Sequence, residues 1–393
     1  MLHLKNKEIR IIFTAGGSGG HTFPLIAIYQ EMVKLAKEKN LDLKTLYLGP
    51  NDFTNRFINQ AGLNSKNILT GKLRRSFNPL DILKNFGDFF KMIVGIFQSL
   101  WHLFFFMPDF IISKGGHGSL PVMLAASLYL IPKAIHESDS IPGLANIITS
   151  KMSQKIFVSF KNTASFFPAK KTLLVGNPIR SDLLTQMDKK QAKDLLGLGE
   201  KPIILILGGS QGAQTINDII LDILPDLIEN AYVIHQTGQN NFVSVSQEAK
   251  IIFQEIIKND VLTHDYRIIP FLEDTIQEPN KSLKINLWAA DIIVSRAGSG
   301  AIFELAALGK PSILIPLPWA SQDHQTKNAY EYSQNGAALI IESNNLTQHI
   351  LSELILNTIS DEKKLKEMSE AALTFAKPDA AKQISQEILN MIL

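Results

Sequence analysis

The chain reads as an α/β protein made of two Rossmann-like, doubly wound parallel-sheet domains, and three observations carry that reading. Short apolar runs alternate with longer stretches of helical spacing, the pattern of strand–helix–strand units. Four of those runs end in a glycine-containing turn that leads straight into a helix. The turns also fall into two similar pairs: GGSGGH (Gly16–His21) resembles GGSQGA (Gly208–Ala213), and GGHGS (Gly115–Ser119) resembles RAGSG (Arg296–Gly300). At 393 residues the chain suits two domains of roughly 150–200 residues.

Taken in order, Ile9–Phe13 is the first strand and Phe23–Lys37 the helix behind it, with Leu25, Ile28, Met32 and Leu35 on one face. Leu43–Leu48 is the next strand. Phe110–Ser113 runs into Lys114–Ser119, and Pro121 sits near the start of the following helix, where its missing N–H costs little. Asn177-Pro178 disfavours helix and marks the boundary. The domains are therefore 1–178 and 179–377. Lys377-Pro378 breaks the preceding helix, and residues 378–393 hold a last amphipathic helix, expected to return to the first domain though its sequence alone does not show that. Lys189–Lys201 is the first, polar helix region of the second half. Pro202–Leu207 precedes the third turn, and Ile292–Ser295 precedes the fourth.

Composition narrows the function. The chain is 45% hydrophobic and 19% charged with a net charge of +2, which gives no case for nucleic acid as a partner. It has no cysteine, so disulfides, thiolate metal sites and a cysteine nucleophile are excluded. MLHLKNKEIRIIFTAGG enters a strand without the regions of a signal peptide, so a cytoplasmic protein is expected. Residues 71–107 stand apart. Val94–Phe106 is expected to be a buried helix feeding the strand at Phe110, because its uncharged run is shorter than the ~20 residues of a membrane span. Arg74–Phe90 mixes Arg74 and Arg75 with Phe77, Leu80 and Phe86. It suits either a surface touching anionic headgroups or an ordinary solvated helix.

None of the turns is a phosphate-binding G-x-x-x-x-G-K-[ST] loop or the dinucleotide G-x-G-x-x-G. What they share is exposed N–H groups beside a helix N-terminus, suited to a diphosphate. His21 closes the first turn where the helix dipole disfavours imidazolium. It is either a neutral proton acceptor or a packing histidine, and His117 has the same two readings. Arg180 could meet a departing diphosphate or form an exposed salt bridge. Asp323-His324 lacks metal-ligand spacing, and the polar segment Ser321–Asn328 reads better as a wall for a sugar or ribose. No G-x-S-x-G elbow is present.

GGSGGH with Pro24, GGHGS with Pro121, HE…PGLAN, GNPIR, GGSQGA, RAGSGAIFE and DHQTKNA, in that order over nearly the whole chain, resemble the MurG family. The resemblance implies a GT-B fold with two domains facing across a cleft. It implies inverting transfer of N-acetylglucosamine from UDP-N-acetylglucosamine to the muramoyl 4-hydroxyl of lipid I, giving lipid II for the cell wall. No cofactor or metal is implied. The implied setting is peripheral, on the cytoplasmic face of an anionic inner membrane, in company with cell-wall and division proteins. By the same resemblance His21 is the candidate base. Ser18, Gly19, Gly20 and Asp139 would contact the donor sugar. Arg180, Ser210, Leu272, Ser299, Gly300, Ala301, Ile302, Phe303, Glu304 and Gln325 would line the UDP site. Gly17, Gly116, His117 and Gly118 would hold the acceptor diphosphate. Two departures stand out: Asp139 where the family usually has Asn, and Glu278–Asn286, read as a surface-loop insertion. The competing readings are another GT-B transferase with a different acceptor, a UDP-sugar epimerase, and a non-catalytic membrane scaffold.

Overall fold

The computed structural model describes residues 7–393 apart from 17–18, 53, 73, 75–77, 210–211, 256–263, 274, 276 and 318–322. Of the expected site residues, Gly17, Ser18, Arg75, Phe77 and Ser210 lie outside the described residues. The chain separates into two units, Met1–Arg180 with Lys377–Leu393, and Ser181–Ala376.

The first unit holds a 7-stranded sheet of β1 (Glu8–Thr14), β2 (Asp42–Gly49), β3 (Ser65–Asn67), β4 (Phe110–Ser113), β5 (Lys133–Glu137), β6 (Lys155–Val158) and β7 (Thr172–Leu174). Their order is β3-β2-β1-β4-β5-β6-β7, every pair parallel. The second unit holds a 6-stranded parallel sheet of β8 (Ile203–Leu207), β9 (Tyr232–Gln236), β10 (Tyr266–Ile269), β11 (Ile292–Ser295), β12 (Ser312–Leu314) and β13 (Ala338–Ile340), ordered β10-β9-β8-β11-β12-β13. In both, the order of winding reverses once, between β1 and β4 and between β8 and β11. Chains leaving two such strands diverge to opposite faces, so a crevice opens at their carboxyl ends. The four glycine turns follow these four strands. Register puts them level, with Thr14 opposite Ser113 and Leu207 opposite Ser295.

Helices differ from expectation in three places. The first runs Gly19–Glu38, so Gly19, Gly20 and His21 belong to its first turn. The apolar stripe that betrays a helix in sequence begins only at Phe23, because Gly19–Thr22 has no apolar face. Pro24 lacks the N–H that would have reached back to the Gly20 carbonyl.

The largest correction concerns Val94–Phe106. It is the second half of one 28-residue helix, Pro79–Phe106, capped by the Asn78 side chain on the Leu80 N–H at 3.1 Å. This helix is not buried. By length and composition it could cross a membrane, and only 17% of its most apolar window is covered. Leu103 and Ser99 face inward, and Gly95 lets the chain at Leu69 lie directly against it. On the outer side Phe97 is 68% and Trp101 65% exposed. An uninterrupted apolar run does not say which of its faces is covered, and here one face has more apolar surface than the domain covers.

The third correction is Glu278–Asn286. It is a 3₁₀ turn, Pro279–Lys281, followed by the start of the helix Leu283–Ala289. Ser282 caps the Ile285 N–H at 3.3 Å. Ile285 and Leu287 are core residues, and buried Asn286 donates to the Ser282, Asn280 and Pro279 carbonyls. Capping and an apolar pair make it helix, not surface loop.

At the chain's end, the helix Ala380–Ile392 buries Ile384, Ile388 and Leu389 in the core that contains Ile9, Ile11 and Ile28 of the first unit. Ser385 donates to the Ile28 carbonyl at 3.2 Å, and Glu387 pairs with Lys155 at 2.8 Å.

Candidate functional site

In the first unit the turns after β1 and β4 are built against each other. The Gly16 N–H donates to the Gly115 carbonyl at 2.8 Å, and the Lys114 N–H to the Thr14 carbonyl at 2.9 Å. A Cβ on Gly116 would lie 2.7 Å from the Gly16 Cα, and Gly116 has φ +79°, so glycine is required there twice over. Gly118 is likewise glycine for packing, since a Cβ would meet the Ala15 carbonyl oxygen at 2.4 Å. Beside this contact stand Gly20, exposed in the first helical turn, and half-buried His21 and His117. Burial, then the Lys72 charge, holds His117 below the usual imidazole range.

The loop after β5 is clasped from beneath by Glu137. Its buried carboxylate accepts from the Asp139 N–H at 3.0 Å, the Gly143 N–H at 2.9 Å and Asn146 Nδ2 at 2.8 Å. Thr163 donates to the Asp139 carbonyl at 2.8 Å, so the backbone of Asp139 is held on both sides. Burial and the Asp139 charge raise the Glu137 carboxyl to about 7. This explains HE…PGLAN: Glu137 and Asn146 shape the loop that presents Asp139. Arg180 is buried rather than exposed, and its guanidinium lies 5.1 Å from the Phe23 ring centre.

In the second unit Gly209 and Gly212 take φ +81° and +79°. Gln236, at the end of β9, joins two expected binding segments. Its Nε2 donates to the Gly209 carbonyl at 3.1 Å, and its Oε1 accepts from the Leu272 N–H at 3.3 Å. The sequence offers no sign of this role beyond a polar residue closing an apolar strand. The helix after β11, Ser299–Ala307, starts from Gly298, whose extended backbone brings no side chain over the first N–H groups. Gly300, Ala301 and Glu304 are half-buried along it. Ile302 and Phe303 are fully buried, Phe303 against Phe375 at 5.3 Å, so these two side chains serve the core. Leu272 is also a core side chain. Gln325 accepts from the Leu317 N–H at 2.9 Å, and Asn328 ties its helix to the Ala297 carbonyl at 3.4 Å. Among the described residues no three His, Asp or Glu side chains gather as metal ligands.

Of the expected membrane contacts, Leu80 and Phe86 are exposed on the long helix. Arg74 is tied down instead. It bridges Asp88 at 2.6 Å and exchanges backbone hydrogen bonds with the Asn85 side chain. Hydrogen bonds from Lys91 and then Arg74 hold the Asp88 carboxyl at about 2, against the opposing effect of its surroundings.

Two parallel α/β sheets, each with paired glycine turns at its switch point, are the architecture of GT-B proteins. Residues 11–158 match the glycosyltransferase family 28 N-terminal domain and residues 203–384 the family 28 C-terminal domain. The chain is 32% identical over 387 residues to the UDP-N-acetylglucosamine–N-acetylmuramyl-(pentapeptide) pyrophosphoryl-undecaprenol N-acetylglucosamine transferase of Caldicellulosiruptor saccharolyticus, covering 98% of each. It is 33% identical to the protein of that name in Treponema pallidum, covering 97% of this chain and 95% of that one. The crystal structure of Acinetobacter baumannii MurG matches with a TM-score of 0.71 at 25% identity, over 98% of this chain and 100% of that one. A UDP-GlcNAc 2-epimerase from Neisseria meningitidis shares the fold, with a TM-score of 0.65 at 15% identity, over 97% of this chain and all of that one. The chain belongs to glycosyltransferase family 28, in the MurG family of N-acetylglucosamine transferases.

Proposed function

We propose that this protein transfers N-acetylglucosamine from UDP-N-acetylglucosamine to the muramoyl 4-hydroxyl of undecaprenyl-diphospho-muramoylpentapeptide, with inversion, to give lipid II. The observation that carries the reading is the pair of level glycine turns at the switch point of each sheet, in a chain that aligns end to end with transferases so named. Direct displacement at the anomeric carbon calls for a base at the attacking hydroxyl and for charge stabilisation at the departing UDP. His21, in the first turn of its helix, is the base of this proposal. Arg180 and the glycine turn Gly208–Ala213 meet the developing charge on UDP, with Ser299–Glu304 on the nucleoside and sugar side. Glu304 accepts from the ribose hydroxyls, and Leu272 lies by the uracil through its backbone. Asp139, Gly19 and Gly20 hold the donor sugar, and Gly116, His117 and Gly118 the acceptor diphosphate.

The exposed apolar side of Pro79–Phe106, with Leu80, Phe86, Phe97 and Trp101, rests in this reading on the cytoplasmic membrane face, where the acceptor's lipid is anchored. Cell-wall synthesis and, through it, cell shape and division are the setting. Purified protein incubated with labelled UDP-N-acetylglucosamine and a lipid I analogue should form the disaccharide product. UDP binding without product on any muramoyl-diphospholipid would sink the assignment. Flotation with anionic liposomes tests the membrane face, and absence of binding even at low salt would exclude it.

A further inference from the structure

Lys114 follows the apolar strand β4, where a lysine is expected to reach for water. It is instead completely buried. Its Nζ meets His136 Nδ1 at 2.5 Å, Ser138 Oγ at 2.5 Å and Asn177 Oδ1 at 3.0 Å. The three donors of an ammonium are thereby matched to three acceptors on two other segments: the end of β5 and the stretch leading to Arg180. With Nδ1 accepting, His136 carries its proton on Nε2 and donates to the Gly176 carbonyl at 2.9 Å. Burial, then the Lys114 charge, holds His136 well below 6.5, so the ring stays neutral. Burial pushes Lys114 down to about 7, and the charges of Glu137 and then Asp139 act against that and favour the ammonium. The His21 ring also bears electrostatically on His136. Glu137 has three N–H donors of its own.

We propose that Lys114 is a positioning residue for the donor-sugar side of the reaction, acting with Asp139 as one charge-matched pair. The ammonium fixes Ser138, the neighbour of Asp139, and Asn177, which lies three residues before Arg180. When Lys114 carries its proton, its charge also faces the Asp139 carboxylate, whose backbone Ser138 precedes. A carboxylate only accepts hydrogen bonds, so the pair selects sugar hydroxyls as donors at that point. This inference rests on the transferase reading above and deepens its donor subsite.

The test is a double-mutant cycle of Lys114→Met and Asp139→Asn in the full-length enzyme. Its readouts are kcat and KM for UDP-N-acetylglucosamine across pH, UDP affinity and thermal stability. Lys114→Met should lower kcat/KM roughly 10–100-fold when Asp139 is present and less than about threefold in the Asp139→Asn background. UDP affinity should fall by less than kcat/KM in every variant, since Lys114 reaches the UDP side only through Asn177. Asp139→Asn alone removes a charge that favours the ammonium, so the alkaline limb of kcat/KM should move to lower pH. Equal fold-changes in the two backgrounds, or an unmoved limb, would overturn the pairing. Should Lys114→Met fail to fold, the limb in Asp139→Asn decides alone. Should the wild-type chain transfer nothing, the transferase reading fails instead, and the stability cycle decides the pairing. A double variant more stable than Lys114→Met supports it, and one no more stable overturns it.

Discussion

The two switch points share a backbone plan and differ in what lies beneath it. Under the turns of the first unit are a buried lysine amine, a buried carboxyl and a neutral histidine: Lys114, Glu137 and His136. Under those of the second the charged group is Arg296, which donates to the Ile315 and Pro316 carbonyls at 3.2 and 3.3 Å, and the other partners are uncharged. Gln236 joins the Gly209 and Leu272 segments, and His235 is bonded to Tyr266 Oη at 2.9 Å and Asn217 Oδ1 at 3.0 Å. Burial pushes His235 down to about 3, so it is neutral. Buried charge is costly to hold and strongly directional, whereas amides give geometry with little field. In the reading proposed above, the contrast gives the first unit the charge near the reacting groups and the second the fixed geometry that holds a ligand.

The sharpest way to break this comparison is to remove one group from each. His21→Ala should lower kcat by ~10²–10⁴-fold and leave UDP affinity unchanged. Glu304→Ala should weaken UDP binding roughly 10–100-fold, the loss of hydrogen bonds to a charged acceptor. A His21 variant with full turnover would remove the base from the first unit. A Glu304 variant with normal UDP affinity would remove ribose recognition from the second.

Stability should divide in the same direction. Glu137→Ala leaves one buried and two part-buried donors without their acceptor and Lys114 with one carboxylate fewer, and should cost about 3–5 kcal/mol in urea unfolding. Gln236→Leu strands one N–H and one carbonyl, and should cost about 1–3 kcal/mol. Equal losses would mean that the charged and neutral supports are equivalent.

The glycine turns and their strands were legible because strand, turn and helix are local and leave a period and a glycine spacing. What lay beneath them was not. Lys114 reads as a solvent-seeking end until β5 and Asn177 are known to converge on it, and Gln236 is silent until β8 and β10 flank it. Ile302 and Phe303 illustrate the converse: they lie within a motif that points at a ligand, yet their side chains turn to the core. The outer face of Pro79–Phe106 was missed because hydrophobic composition does not encode which side of a helix is covered. Glu278–Asn286 was misread because its apolar residues are few and its Ser282 cap becomes a signal only once the following turn is taken as helix.

The pH dependence of the neutral support has a definite sign. His235 has a folded value near 3 against about 6.5 unfolded, so its contribution is fully present above 6.5 and is lost as pH falls toward 3. At about pH 4 the loss should be roughly 3 kcal/mol relative to neutral pH. His235→Phe should be less stable at pH 7 and should lose less between pH 7 and 4, measured by urea unfolding. An unchanged acid slope would show that the ring is not the group that titrates.

The smallest effect separates the two kinds of glycine turn. Gly116→Ala meets a left-handed backbone and the Gly16 Cα at 2.7 Å, so the two turns must part. Gly209→Ala meets a left-handed backbone alone, with nothing within 4 Å of the new methyl. The second change should cost only about 1–2 kcal/mol, the penalty of that conformation for an L-residue. The first should cost about 1–3 kcal/mol more from the forced overlap. The added methyl at Gly209 has room in the free protein, so any fall in UDP affinity beyond the stability loss would mean that ligand occupies that room. Equal stability losses would show that the contact between the first unit's turns is dispensable. The glycines at both switch points would then be there for the ligand and for the backbone alone.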